Sequence, residues 1–210
     1  MARQQTGWVD FGWQGVSLQI PEDWNLGKVD GNYKSGYARL DDSEIMRAEV
    51  EWREGRKQGR GVPALTQLVD RYIENLEKKA QKTDTPFTVE RRAKFIKDKK
   101  WLEDSDYETF TWAADYRAYN LARACPACGR IVLLRVLGRL DEKLDDLIQA
   151  IFPTLHDHPR DDQVFWSVYG LRFLMPAGFT LNEHQLKSGH IQLTFEQGKE
   201  ICRVQRLSLA

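Results

Sequence analysis

The residues with the clearest chemical potential sit mid-chain, in the run Cys125-Pro126-Ala127-Cys128-Gly129. Two thiols with two residues between them can turn toward one tetrahedral ion, and the glycine relieves the backbone where the chain reverses. Such a pair is half a site, and the chain has no second Cys-x-x-Cys to complete it. The other donors of the right kind are Cys202 and the histidines, of which His156 and His158 come closest behind the knuckle in sequence. Chain geometry favours those two. The segment leaving the knuckle runs out for about eight residues at roughly 3.3 Å each, and a helix of about fourteen residues at roughly 1.5 Å each can return. Cys125, Cys128, His156 and His158 are therefore the candidate zinc ligands. Three alternatives stand beside this set: Cys202 as a weaker donor, a site shared by the knuckles of two chains, and thiols that bind no metal and serve only the turn.

Other chemistries find less to work with. A thioredoxin-like pair needs its attacking thiol at a helix amino terminus, whereas Cys128 leads into the strand-like run Ile131-Val-Leu-Leu-Arg-Val-Leu137. There is no G-x-S-x-G, no H-E-x-x-H and no Gly-Lys-Ser/Thr phosphate loop, so the Gly-rich basic stretch from Glu54 to Val62 reads as a connector. The 31 basic side chains balance the 31 acidic ones, which removes the global field that would draw the chain to nucleic acid or an anionic membrane. A local basic run, Arg91 to Lys100 beside Trp101, is followed at once by Glu103, Asp104 and Asp106. It reads as a solvated hairpin. No stretch approaches the roughly 20 apolar residues of a membrane span. The expected location is cytoplasmic, where thiols stay reduced or bind metal.

The elements that must position the knuckle follow from periodicity. Tyr116 to Gly138 predicts two long strands with both thiols at the tip, and the second strand, apolar on both faces, predicts the centre of a sheet. Shorter strands are expected at Val16–Ile20, Trp24–Val29, Gly36–Leu40 and Tyr107–Ala114, after a polar leader. In Met46 to Arg53, Ala48, Val50 and Trp52 form a core face while Arg47, Glu49, Glu51 and Arg53 form a wet one. Leu65, Leu68, Val69, Tyr72, Ile73, Leu76 and Ala80 recur at helical spacing. A second helix is expected from a cap at Asp141 through Leu155, kinked at Pro153.

Beyond a polar hinge, His156 to Gln163, the chain resembles its own beginning. At an offset of 155 residues, Gly15 answers Gly170, Pro21 answers Pro176 and Leu26 answers Leu181, with apolar Val16, Leu18, Ile20 and Trp24 meeting Leu171, Phe173, Met175 and Phe179. The offset then slips by two, and Gly36–Leu40 answers Gly189–Leu193. The expected organisation is an α+β domain over residues 1–158, an antiparallel sheet with one amphipathic helix on each face, and a partial copy of its first β-meander over residues 159–210. That copy has an apolar face to hide. It must lie on the first domain, pair with another chain, or belong to a longer protein cut at this point.

The element order, together with the entry Pro21-Glu22-Asp23-Trp24, resembles the PsbP-like fold of the photosystem II extrinsic protein and of a Ran-binding nuclear-transport protein. The Cys-Pro-x-Cys-Gly run resembles the knuckle of zinc ribbons and rubredoxins. The first resemblance implies a non-catalytic binding or assembly role, the second a structural zinc. The leading expectation is a binding or assembly module whose partner is an unknown protein or a second copy of itself. A small zinc protein is the alternative, and an enzyme with a site between the two copies is the third reading.

Overall fold

The fold is described by a computed structural model covering residues 7–55 and 65–208. The Gly-rich loop and Pro63 therefore lie largely outside the described residues. The described chain starts with five short strands: β1 (Trp8–Trp13), β2 (Val16–Pro21), β3 (Asn25–Gly31), β4 (Ser35–Asp41) and β5 (Met46–Arg53). Helix α1 (Leu65–Lys82) leads to β6 (Thr88–Arg91), β7 (Asp106–Ala113), β8 (Tyr116–Ala124) and β9 (Ile131–Arg139). Helix α2 (Asp145–Ile151) and a 3-10 turn over Phe152–Thr154 follow. The chain then returns to strands: β10 (Gln163–Val168), β11 (Leu171–Pro176), β12 (Thr180–Lys187), β13 (His190–Gln197) and β14 (Glu200–Leu207).

These strands form three antiparallel sheets. The large sheet has the order β3-β4-β5-β9-β8-β7-β6, the hairpin sheet β11-β10-β1-β2, and the terminal sheet β12-β13-β14. The apolar run after the knuckle is β9, fourth of seven in the large sheet, so the strand expected at the centre is there. Its residues alternate between two buried clusters. Val132, Leu134 and Val136 join the main core, whereas Ile131 and Leu133 face the cluster under α1.

The expected sheet with one helix on each face is corrected: the described chain is mostly β, fourteen strands against two α-helices. Helix α1 does cover one face, setting Leu65, Val69 and Ile73 on Phe110 and Ala122. The other face is covered chiefly by the hairpin sheet, whose Phe11, Trp13, Val16, Leu18 and Ile20 share the main core with Val50, Trp52 and Leu134. Two causes displaced the second helix. The leader expected to be polar is strand β1, turned into β2 by Gln14 and Gly15 at positive φ (52° and 80°), as a two-residue hairpin of matching twist requires. And α2 is only seven residues long. Asp141 does not cap it; Leu144 takes that place without a side-chain cap, and the Glu142 carboxylate turns back to the Arg47 guanidinium at 2.6 Å.

Strands β10 to β14 run through the same succession of hairpins as β1 to β5. Tyr169 and Gly170 reproduce the positive-φ turn of Gln14 and Gly15. The register shift between Leu26 and Lys28 in β3 has its counterpart between Leu181 and Glu183 in β12. Leu40, opposite Leu26, stands where Phe195 stands opposite Leu181. The pairing thus keeps the offset of 155 through this hairpin, and the expected slip of two reflects only a tighter turn. The apolar face of the terminal sheet is covered within the chain: Leu193 and Phe195 are fully buried, and Trp166 of β10 meets Phe195 edge-on with ring centroids 4.9 Å apart. Trp13 in turn packs on Trp166 at 5.1 Å.

Candidate metal centre

The knuckle forms because β8 and β9 are long, in register and joined by six residues between Ala124 and Ile131. The Cys125 amide donates to the Arg130 carbonyl and the Gly129 amide to the Cys125 carbonyl, each at 2.8 Å. Gly129 takes φ 72°, a left-handed conformation that a side chain would strain. This closure turns both thiols to one side. Cys125 is buried and Cys128 half-buried.

The return path works as chain geometry required. Strand β9 runs out, α2 and its 3-10 turn come back, and the chain re-enters beside β2, where Ser17 and His156 exchange backbone hydrogen bonds of 2.8 and 2.9 Å. Two residues on, His158 meets the knuckle. The ligand atoms of Cys125, Cys128 and His158 all lie within 4.8 Å of one another, and His158 Nδ1 is 3.3 Å from Cys125 Sγ. The fourth expected ligand, His156, is not in this cluster. Its ring lies against the Arg160 guanidinium, and burial together with that positive charge lowers its pKa. Cys202 lies on β14, opposite Phe195.

Three residues around the cluster had not been singled out from the sequence. Asp157 is almost wholly buried; its Oδ1 is 2.9 Å from His158 Nδ1 and its Oδ2 has no hydrogen-bond partner. Arg130, also buried, donates from Nη1 to the Gln14 and Asp157 carbonyls at 3.0 Å each, and from Nη2 to the Tyr33 carbonyl. Its guanidinium lies over the Tyr33 ring, 4.2 Å from the centroid. Arg130 thus ties the knuckle to two hairpin turns and to the histidine segment. It also places a fixed positive charge beside two thiols, the arrangement that offsets the charge of thiolates. The signal in the sequence was a cation directly after the knuckle glycine, at the head of an apolar strand.

Without a bound cation, burial pushes the Cys125 thiol up to about 11, against the lowering effect of hydrogen bonds from the Cys128 and Ala127 amides. Those amides already point at the sulfur, as a metal-bound thiolate needs. A divalent ion replaces the proton and reverses the effect of burial, since a coordinated thiol is deprotonated outright. Two sulfurs and one imidazole are a donor set suited to zinc, with a fourth position left for water or an outside ligand. Asp157 Oδ1, 2.9 Å from His158 Nδ1, stands where it can hold the ring, as carboxylates commonly hold the histidines of zinc sites.

His158 also lines a cleft of about 580 Å³ formed by the hairpin sheet and the returning segment, with Asp10, Ser17, His156, Arg160 and Arg172 in its wall. The basic run expected as a solvated hairpin is partly neutralised: Arg91 is paired with Asp70 and Glu108. No protein-family model matches this chain, and no curated protein matches it in sequence. Among the described residues, no helix is long and apolar enough to cross a membrane.

Proposed function

We propose that the protein is a non-catalytic binding or assembly module carrying one zinc ion, held by Cys125, Cys128 and His158 with its fourth position taken by a ligand from outside this cluster. The observation that carries this reading is the convergence of the three donor atoms within 4.8 Å, from segments 33 residues apart in sequence. The donor chemistry supports zinc, and Arg130 supplies the compensating charge. His156 stays outside the coordination shell and helps dock the returning chain onto β2. A cytoplasmic location would keep both thiols reduced and free to ligate. The resemblance to PsbP-like proteins, which implies a binding or assembly role, keeps only the Pro-x-x-Trp entry, whose Trp24 is buried; the helix on each face that it also implied is not built. It lends no ligand.

Metal content of protein purified under reducing conditions tests the reading. The expected result is one zinc per chain, lost in Cys128→Ser and in His158→Ala but kept in Cys202→Ser and His156→Ala. Cobalt substituted for zinc should show thiolate charge-transfer absorption that disappears with either knuckle cysteine. A metal-free protein after zinc supplementation, or metal that survives removal of both knuckle cysteines, would overturn it.

A further inference from the structure

We propose that β14 is a dimerisation strand, its open edge pairing antiparallel with β14 of a second copy of this chain about a two-fold axis at Val204. The inference starts from the strand that β14 matches. In the first meander Ala48, Val50 and Trp52 of β5 are paired on one side with β4 and on the other with Val136, Leu134 and Val132 of β9. In the second, Cys202, Val204 and Arg206 hold the corresponding places beside β13, and β14 ends its sheet. Among the described residues, the row of backbone donors and acceptors that β5 spends on β9 has no strand beside it on β14.

The other sheet edges carry features that discourage pairing. Strands β3 and β12 are interrupted by register shifts, β6 spans four residues, β11 ends on Pro176, and β2 is met by His156. Strand β14 pairs with β13 without interruption from Glu200 to Leu207. It also carries the two most exposed large hydrophobic residues described, Ile201 at 67% and Leu207 at 64%. By strand period these share one face with Arg203 and Gln205. The opposite face is occupied: Cys202 and Val204 pack on the main core, and Arg206 donates to the Tyr169 carbonyl.

A second copy is the occupant because the strand complements itself in one register. An isologous antiparallel pair must place some residue opposite its own copy. With Val204 on the axis, Ile201 lies opposite the partner's Leu207, Arg203 opposite the partner's Gln205, and Cys202 opposite the partner's Arg206. Both exposed hydrophobics are covered, twice per dimer, and no like charges meet. An axis at Arg203 opposes two guanidinium groups. An axis at Cys202 leaves Leu207 beyond the paired region, and one at Gln205 leaves Ile201 there.

Light scattering and sedimentation over a concentration series test this on the full chain. The wild type should be a dimer. Ile201→Lys with Leu207→Lys should weaken it roughly thirtyfold, since two cross-strand pairs are lost and like charges oppose. Ile201→Lys with Leu207→Glu should restore it, because each lysine then faces a glutamate. In a Cys202→Ser background, Val204→Cys should give a disulfide-linked dimer on mild oxidation and Arg203→Cys should not. A wild type that stays monomeric at all concentrations, a double-lysine variant that dimerises like the wild type, or equal cross-linking at 203 and 204 would each overturn the proposal.

Discussion

Removing His158 should cost stability only when zinc is bound. In the proposed centre the ion would join Cys125 to a residue 33 positions away, and closing a loop of that length in the unfolded chain is worth about 3.7 kcal/mol by the cross-link relation. The unfolded chain retains its Cys-x-x-Cys and binds some zinc itself, which lowers the observable gain to about 3 kcal/mol. For a chain of this size that is a difference of roughly 6–12 °C in melting temperature. In excess chelator the same substitution removes a half-exposed ring whose remaining contacts are to Asp157 and the Cys125 thiol. It should then cost less than about 1 kcal/mol. The assay is urea unfolding of wild type and His158→Ala, each with zinc and with chelator, under reducing conditions. The quantity that decides is the difference of differences. An equal gap between wild type and variant in both buffers would show that His158 acts through packing alone, and the metal argument would fail.

Three further outcomes follow from the buried charges and aromatics. Arg47 is fully buried, with Nε 2.5 Å from Asp42 and Nη1 2.6 Å from Glu142; Arg47→Ala removes the buried cation between the two carboxylates and should destabilise by about 3–5 kcal/mol in urea unfolding, whereas Arg47→Met with Asp42→Asn should recover part of that. Burial would raise the Asp42 carboxyl, but hydrogen bonds from the Ile45 and Glu44 amides and from Arg47 outweigh it and hold the group at about 2, below its ordinary 3.8. Its contribution, about 2 kcal/mol, is therefore complete above pH 4 and lost as pH falls through 2, so the stability gap between wild type and Asp42→Asn should close over that window. Trp166 bridges Trp13 and Phe195, and Trp166→Ala should cost about 3–5 kcal/mol; Trp166→Phe should cost much less, because the indole N–H it removes has no partner.

What the sequence disclosed about the fold tracks how local each signal is. The β9 run and the α1 stripe are each buried by their own residues' periodicity, and both stand where expected. So does Trp52 of the β5 core face, which is buried. Strands β1 and β10 were hidden because Asp10 and Gly12, and likewise Ser167, dilute the apolar pattern. Their order comes from pairing across a long separation, Gly12 against Ser167. Missing them left one face of the large sheet to a second helix that the chain does not build. The face of β5 expected to be wet hides its charges for a similar reason. Arg47 and Glu49 are buried because Glu142 and Arg135, 95 and 86 residues away, come to meet them.

The candidate site divides along the same line. The knuckle is a local motif and was legible whole, while its completion depended on where a strand and a helix would set the returning chain down. Length arithmetic brought that chain to the right neighbourhood but could not choose between His156 and His158, which lie two residues apart in one extended segment. The choice is made by backbone pairing. Once His156 exchanges hydrogen bonds with Ser17 on β2, the intervening Asp157 is held buried by its carbonyl contact with Arg130, and the following side chain is the one delivered to the thiols. In the proposed centre Arg130 would do two jobs through one group: fix which histidine arrives and balance the charge of the thiolates that receive it. Arg130→Met keeps the bulk and removes both functions. It should weaken zinc binding although every ligand remains, and zinc affinity at the wild-type level in that variant would show that β2 pairing alone sets the centre.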